Sequence, residues 1–212
     1  MPIVEDFHGQ AAQDAFALWV LKEKRDGYYL EIGSNHPIEN NNTYLMDTRY
    51  GWKGVMVEYR PEHLVQYQEH RPRAIHIIDD ATQLAFVKVL EQLAPPDKCV
   101  DYLQIDLEVH NDSTMGALEQ IEKTMEMGYK YAVVTFEHDA YVDARYETRE
   151  RSRLVFDRNG YVRVFSDVRI DGNPFEDWYV HPELVDMERT ERIRTMASLE
   201  WQQIIDRLRG MA

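Results

Sequence analysis

An apolar run ends in the acidic-x-glycine turn Glu31-Ile32-Gly33, and a second apolar run ends at Glu58, 25 positions after Gly33. That pairing suits a nucleotide-type cofactor. A glycine lets the backbone turn tightly toward a ligand. A carboxylate at the end of the next strand can accept charge-assisted hydrogen bonds from a ribose diol. Each residue also has a plainer reading. Gly33 can close an ordinary turn, and Glu58 can complement the dipole of a helix that Pro61 opens. The two together favour the cofactor. Further acids follow later apolar runs: Asp79 and Asp80, then Asp106, then Glu137-His138-Asp139. A parallel sheet gathers strand ends at one edge, so Asp106 and the Glu-His-Asp triplet are expected to converge. Oxygen ligands with one imidazole suit Mg²⁺ or Mn²⁺, with Asp106, Glu137, His138 and Asp139 as ligands. The alternative is a metal-free network of hydrogen-bonded acids. His36, His110 and His138 fall in edge loops. His138, then His110, is the candidate base for activating a hydroxyl. His181 reads as structural and Cys99 as a packing residue.

The elements that must position these residues alternate. Residues Gln10–Lys24 carry helical apolar spacing and Gly27 suits the end of that helix. Strand candidates follow at Tyr28–Ile32, Val55–Glu58, Ala74–Ile78, Tyr102–Asp106 and Tyr131–Phe136. Helical stretches lie between or after them at Glu62–Glu69, Thr82–Leu93, Thr114–Met127 and Ala144–Arg158. Short apolar strands alternating with helices predict an α/β fold with a parallel sheet covered on both faces. Tyr161–Val168 and Asp177–Val180 have no helix between them, so they are expected to pair as an antiparallel hairpin. Glu188–Leu208 reads as a last helix, whole or broken. One domain is expected over 1–212, with an N-terminal helix near 10–25, a core near 27–182 and a C-terminal helix near 188–210.

Composition narrows the function classes. The chain has 212 residues, 44% hydrophobic and 29% charged, a globular balance. Its net charge of -14 argues against nucleic acid and anionic lipid as partners. A single cysteine forbids an intrachain disulfide and suits a reducing compartment, so a cytoplasmic location is expected. No apolar run nears the ~20 residues of a membrane helix. The N-terminal MPIVEDFHGQ does not read as a signal peptide. The oligomeric state is open.

The segments LEIGSN, NNTYLMDTRYGWKGVMVEYRPE, DYLQIDLEVHN, VVTFEH, GYVRVFSDV and DWYVHP span roughly 27–182. In them the chain resembles the FkbM family of class I S-adenosylmethionine-dependent methyltransferases. The resemblance implies a Rossmann-like sheet, mostly parallel with a C-terminal antiparallel hairpin and helices on both faces. It implies S-adenosylmethionine as cofactor and a hydroxyl of a small molecule or carbohydrate as acceptor. Carried onto this sequence, Glu31, Gly33, Asn35, Glu58, Tyr59, Asp80 and Asp106 are the expected cofactor residues. Glu31 would lie near the methionine ammonium, Tyr59 and Asp80 near adenine, Asp106 near the sulfonium, and the Asn40–Thr43 run beside the cofactor. The family's usual acid-x-Glu-Gly-x-Glu after the fourth strand reads here Asp106-Leu107-Glu108-Val109-His110-Asn111. The glycine and last acid are missing, which bears on the acceptor side. Two rivals remain: a nicotinamide-dependent oxidoreductase, and a methyltransferase-like binding module without activity.

Overall fold

A computed structural model describes residues 6–93, 95–143 and 145–211. The strands are β1 (Tyr28–Ile32), β2 (Lys53–Glu58), β3 (Ile75–Ile78), β4 (Cys99–Ile105), β5 (Lys130–Glu137), β6 (Val162–Ile170) and β7 (Asn173–Val180). They form one sheet in the order β3-β2-β1-β4-β5-β7-β6. β1 to β5 are parallel, and β7 lies antiparallel between β5 and β6. The β6–β7 turn is Asp171-Gly172, with φ of 52° and 82°. Two left-handed residues in a two-residue loop match the right-handed twist of a hairpin. The expected hairpin and α/β fold are both present.

The period of two along each strand divides the core. Leu30, Ile32, Leu103, Ile105, Val134 and Phe136 face α4 (Phe86–Leu93), α5 (Ser113–Glu126) and α6 (Thr148–Arg158). Tyr29, Tyr102, Val133 and Trp178 face α1 (Gln13–Val20) and α8 (Trp201–Gly210). Each fully buried large apolar side chain contributes about 1.5–3 kcal/mol. On this second face Glu31, Gln104 and Glu176 share the strand phase of Tyr29, Tyr102 and Trp178. Their polar groups are therefore carried into the core beneath α1.

Several elements differ from expectation. α1 is shorter than 10–24, because Ala12 at one end and Lys22 and Glu23 at the other have left-handed φ. It is buried on all sides, not amphipathic, since it lies between sheet and α8. The helix expected from Thr82 starts at Phe86. Asp80 Oδ1 accepts from the Thr82 N–H at 2.9 Å and its hydroxyl at 2.8 Å, fixing a turn in place of the first helical turns. The helix expected from Ala144 is described from Thr148; residue 144 itself lies outside the described residues. A short α2 (Tyr44–Thr48) follows the Asn run, and α3 (Leu64–His70) continues a 3₁₀ turn at Pro61–His63. The last helix is broken into α7 (Met187–Glu191) and α8. The chain between them runs along β6, where Thr195 N–H donates to Val164 O and Arg169 N–H to Leu199 O. That segment satisfies the outer edge of the sheet, which a continuous helix would leave bare.

Candidate functional site

The turn after β1 is built by its neighbours. Gly33 has φ 86°, and its N–H and that of Ser34 both donate to Val57 O of β2. Asp106 N–H donates to Ile32 O on the other side. A Cβ on Gly33 would stand 1.8 Å from Asp106 O. The glycine is thus demanded by the close approach of the β4 end, before any ligand is considered. Asn35 follows in a left-handed conformation, φ 46°, which asparagine tolerates.

Glu58 ends β2 and is clasped by backbone. Its Oε1 accepts from the N–H groups of Tyr59 and Arg60, and its Oε2 from Asn35 N–H, all at 2.9 Å. These bonds tie the first two strand ends together. Tyr59 is 72% exposed beside them. Asp79 N–H donates to Glu58 O, bringing Asp79 and Asp80 to the same edge.

Around these residues lies a cleft of about 540 Å³ at the carboxyl ends of β1, β2, β3, β4 and β5. Gly33, Asn35, Glu58, Tyr59, Asp80 and Asp106 all line it, as do Glu137 and Asp139. With Asp79 and Glu108 its wall carries seven carboxylates, against the single guanidinium of Arg60.

Glu31 is not in that wall. It is 1% exposed, and its Oε2 accepts from Asn41 Nδ2 at 3.1 Å and Thr43 Oγ1 at 3.0 Å. Burial raises its carboxyl to about 7, against the pull of Arg71. Arg71, itself fully buried, donates to Asp47, Asn41, Tyr29 and Thr43. Glu31 and Arg71 therefore fasten the 41–43 segment to β1 from behind the cleft. None of residues 40–43 lines it. Arg71 was missed in the sequence, where one arginine at a helix end looks like any solvated cation.

The acids of β4, β5 and β7 converge, but not with His138. Ligand-competent oxygens of Asp106, Glu137 and Glu176 lie within 4.8 Å of one another. Burial raises the Asp106 carboxyl, with Asp139 adding to the rise. Burial, then the charges of Asp106 and Asp139, push Glu137 well above its ordinary value. Crowded acids of this kind each disfavour the ionisation of the others. Glu176 is fully buried and raised to about 8 by burial, though Gln13 Nε2 and Trp178 Nε1 donate to it. Its signal in the sequence was an acid at a core position of the Glu176, Trp178, Val180 alternation.

His138 is fully buried and lines no part of the cleft. Its Nδ1 accepts from Ala140 N–H, and its Nε2 faces Asp177 at 3.6 Å and Asp167 at 3.7 Å. Burial opposes ionisation of Asp177, but His138 and the Arg153 fork outweigh it and hold that carboxyl well below its usual range. The expected four-residue metal set is corrected accordingly: β-strand alternation sends His138 to the face opposite Glu137. His110 is exposed on a 3₁₀ turn, also outside the cleft wall.

No protein-family model matches the chain, and no curated protein matches it in sequence. Solved structures do match. A TehB-like SAM-dependent methyltransferase from Corynebacterium glutamicum has TM-score 0.51 at 12% identity, over 80% of this chain and 87% of its own. A putative rRNA methylase from Clostridium thermocellum has TM-score 0.53 at 12% identity, over 82% and 97%. The fibrillarin pre-rRNA processing protein of Methanococcus jannaschii has TM-score 0.51 at 12% identity, over 85% and 76%. Two of these proteins are named for RNA, which overturns the expectation that nucleic acid is excluded as a partner. Net charge is an average over the whole chain and does not decide what one cleft or rim can bind. Among the described residues no helix is long and apolar enough to cross a membrane. The strand order, the inserted antiparallel β7 and these likenesses identify the fold as the Rossmann-like α/β fold of class I methyltransferases.

Proposed function

We propose that this chain is an S-adenosylmethionine-dependent O-methyltransferase acting on a hydroxyl of a small molecule or sugar. The observation that carries the reading is the acidic cleft at the strand ends, with Glu58 at one end and Asp106 and Glu137 at the other. Its volume falls within the ~300–1,000 Å³ of small-molecule sites. Its charge suits a cofactor that bears a sulfonium. When bound, S-adenosylmethionine would supply a sulfonium-bound methyl group for transfer to an acceptor oxygen, with S-adenosylhomocysteine as the leaving group.

The chain's residues divide the work. Glu58 receives the ribose. A carboxylate has about four acceptor positions, and backbone N–H groups hold three, leaving room for about one further strong bond. Asp80 and the exposed Tyr59 ring serve the adenine, and the Gly33–Asn35 turn backs the amino-acid end. Asp106 and Glu137 face the reacting end. As the acceptor oxygen forms its new bond its proton must leave, and an ionised carboxylate of this pair, lining the cleft, is the base at hand. That role passes to them from His138, which faces the other way.

The oxidoreductase rival fits less well. A dinucleotide-binding sheet has the order 3-2-1-4-5-6, whereas here antiparallel β7 separates β5 from β6. Calorimetry with S-adenosylhomocysteine and with NAD distinguishes the two; saturable binding of the first alone is expected. Turnover is then measured on hydroxylated small molecules, sugars and RNA. Glu137→Gln should lower it ~10²-fold or more while leaving S-adenosylhomocysteine affinity within about threefold. Absent S-adenosylhomocysteine binding sinks the proposal. Binding without turnover on any acceptor favours the inactive module.

A further inference from the structure

We propose that Asp106, Glu137 and Glu176, with the amide oxygen of Gln104, form an oxygen-only site for one divalent cation, Mg²⁺ or Mn²⁺, at the acceptor end of the cleft. The proposal rests on the methyl-transfer reading for what the ion would do, but not for whether it binds.

The three carboxyls arrive from adjacent strands. Glu137 of β5 and Glu176 of β7 are cross-strand partners, and Asp106 follows β4. One oxygen from each lies within 4.8 Å of the others, a separation that metal–oxygen bonds of about 2.0–2.6 Å can bridge. Asp106 and Glu137 line the cleft, while Glu176 is fully buried beside them, outside the cleft wall.

Gln104 supplies an independent observation. It is 3% exposed, and its Nε2 donates to Asp106 Oδ2 at 3.3 Å, so its amide stands against the cluster. Its Oε1 has no hydrogen-bond donor. A buried orphan acceptor carries an energetic cost, and a cation among these oxygens would remove it. Gln13 Nε2 and Trp178 Nε1 donate to the Glu176 carboxylate, as outer partners hold metal ligands.

The second acidic cluster shows what a site without a cation looks like. Asp167 and Asp177, beside His138, already carry the Arg153 guanidinium, and Arg149 reaches Asp167 as well. Among the described residues no lysine, arginine or histidine pairs with Asp106, Glu137 or Glu176. The charge that balances them must come from protons or from a bound ion. An all-oxygen donor set selects hard ions over zinc. An ion there could hold the acceptor hydroxyl and ease loss of its proton.

The test is titration of the full chain with MnCl₂, followed by calorimetry and by the electron paramagnetic resonance signal of free Mn²⁺. S-adenosylhomocysteine is titrated separately as a control. One saturable Mn²⁺ per chain is expected. Glu176→Gln and Gln104→Leu should each weaken it at least tenfold, with the melting temperature of the Gln104→Leu protein kept or raised. No saturable Mn²⁺ or Mg²⁺ binding at millimolar concentration would overturn the site, and so would equal binding in both variants, which would put the ion on exposed acids such as Asp79. Failure to bind S-adenosylhomocysteine while Mn²⁺ binds would strike the methyl-transfer reading and leave the ion site standing.

Discussion

The acids on the rim of the cleft and the acids inside the sheet have the same chemistry but opposite support. Glu58, the last residue of β2, and Asp80, in the turn after β3, accept from backbone N–H groups of the turns beside them. Glu31, Asp106, Glu137 and Glu176 sit on or just beyond strands whose N–H groups are committed to the sheet, and burial raises every one of their carboxyls. The difference follows from topology. A strand's backbone donors are spent on its neighbours, whereas a turn has donors to spare. Turn donors thereby fix the rim acids in place, and the interior acids, without such donors, are left to hold protons or a cation. A rim acid therefore offers hydrogen bonds to a ligand, and an interior acid offers proton transfer or charge compensation.

The largest way to break this arrangement is at its seam. Gly33 joins the rim to the interior, with Val57 on one side and Asp106 on the other. Gly33→Val would set a Cβ against the Asp106 carbonyl in a backbone conformation that valine disfavours. We expect loss of S-adenosylhomocysteine binding together with a destabilisation of several kcal/mol, on the order of the most severe single substitutions. A melting curve and a binding titration check both. A variant that melts normally yet fails to bind would return the glycine's role to the ligand, as the sequence first suggested. A variant that binds normally would refute the turn altogether.

A smaller effect is expected at Glu58, and here two substitutions sharpen the comparison. Charge-assisted hydrogen bonds are worth about 1.5–3 kcal/mol, so Glu58→Gln should weaken S-adenosylhomocysteine about tenfold or more. Glu58→Ala should weaken it further and lower the melting temperature as well, because it also orphans the N–H groups of Asn35, Tyr59 and Arg60. Equal affinity in wild type and both variants would remove Glu58 from the cofactor site.

The rim was far more legible in the sequence than the interior. β1 reads in the sequence as Tyr28–Ile32, as found, and the rim residues Gly33, Asn35, Glu58, Tyr59 and Asp80 line one cleft, with Asp106 of the interior set beside them. Local signals carry such residues: an apolar run, a turn, an acid at its end. Glu176 and Arg71 act through partners distant in the chain, as in the bond from Gln13 to Glu176, which spans 163 positions. No local pattern encodes that. His138 failed for a related reason. It was placed by its position after a strand, but the alternation that aims Glu137 at one face aims its neighbour at the other. The last helix reads in the sequence as whole or broken, and what decides for the break, the need to cover β6, arises only when the sheet is assembled.

The interior acids are tested through stability. Glu31 holds its proton to about 7 when folded, against an ordinary value of 4.5, because burial disfavours its charge. Between those values the folded chain binds a proton that the unfolded chain has released. The unfolded state then carries fewer protons, so stability falls as pH rises. The contribution of Glu31 is full below 4.5 and is lost as pH passes through about 7. Each pKa unit corresponds to ~1.4 kcal/mol, so the whole loss is of order a few kcal/mol. Glu31→Gln keeps an oxygen for Asn41 and Thr43 but cannot ionise. Denaturant melts at pH 5 and pH 8 should therefore show a wild-type chain less stable at pH 8, and a variant in which that difference shrinks. It should not vanish, since Asp14 is raised to about 7 and Glu176 to about 8, and both add slope of the same sign. An unchanged difference in Glu31→Gln would show that Arg71 keeps Glu31 ionised throughout. Glu31 would then be a charged acid despite its burial, and the division between rim and interior would have to be drawn by the nearest cation, not by depth.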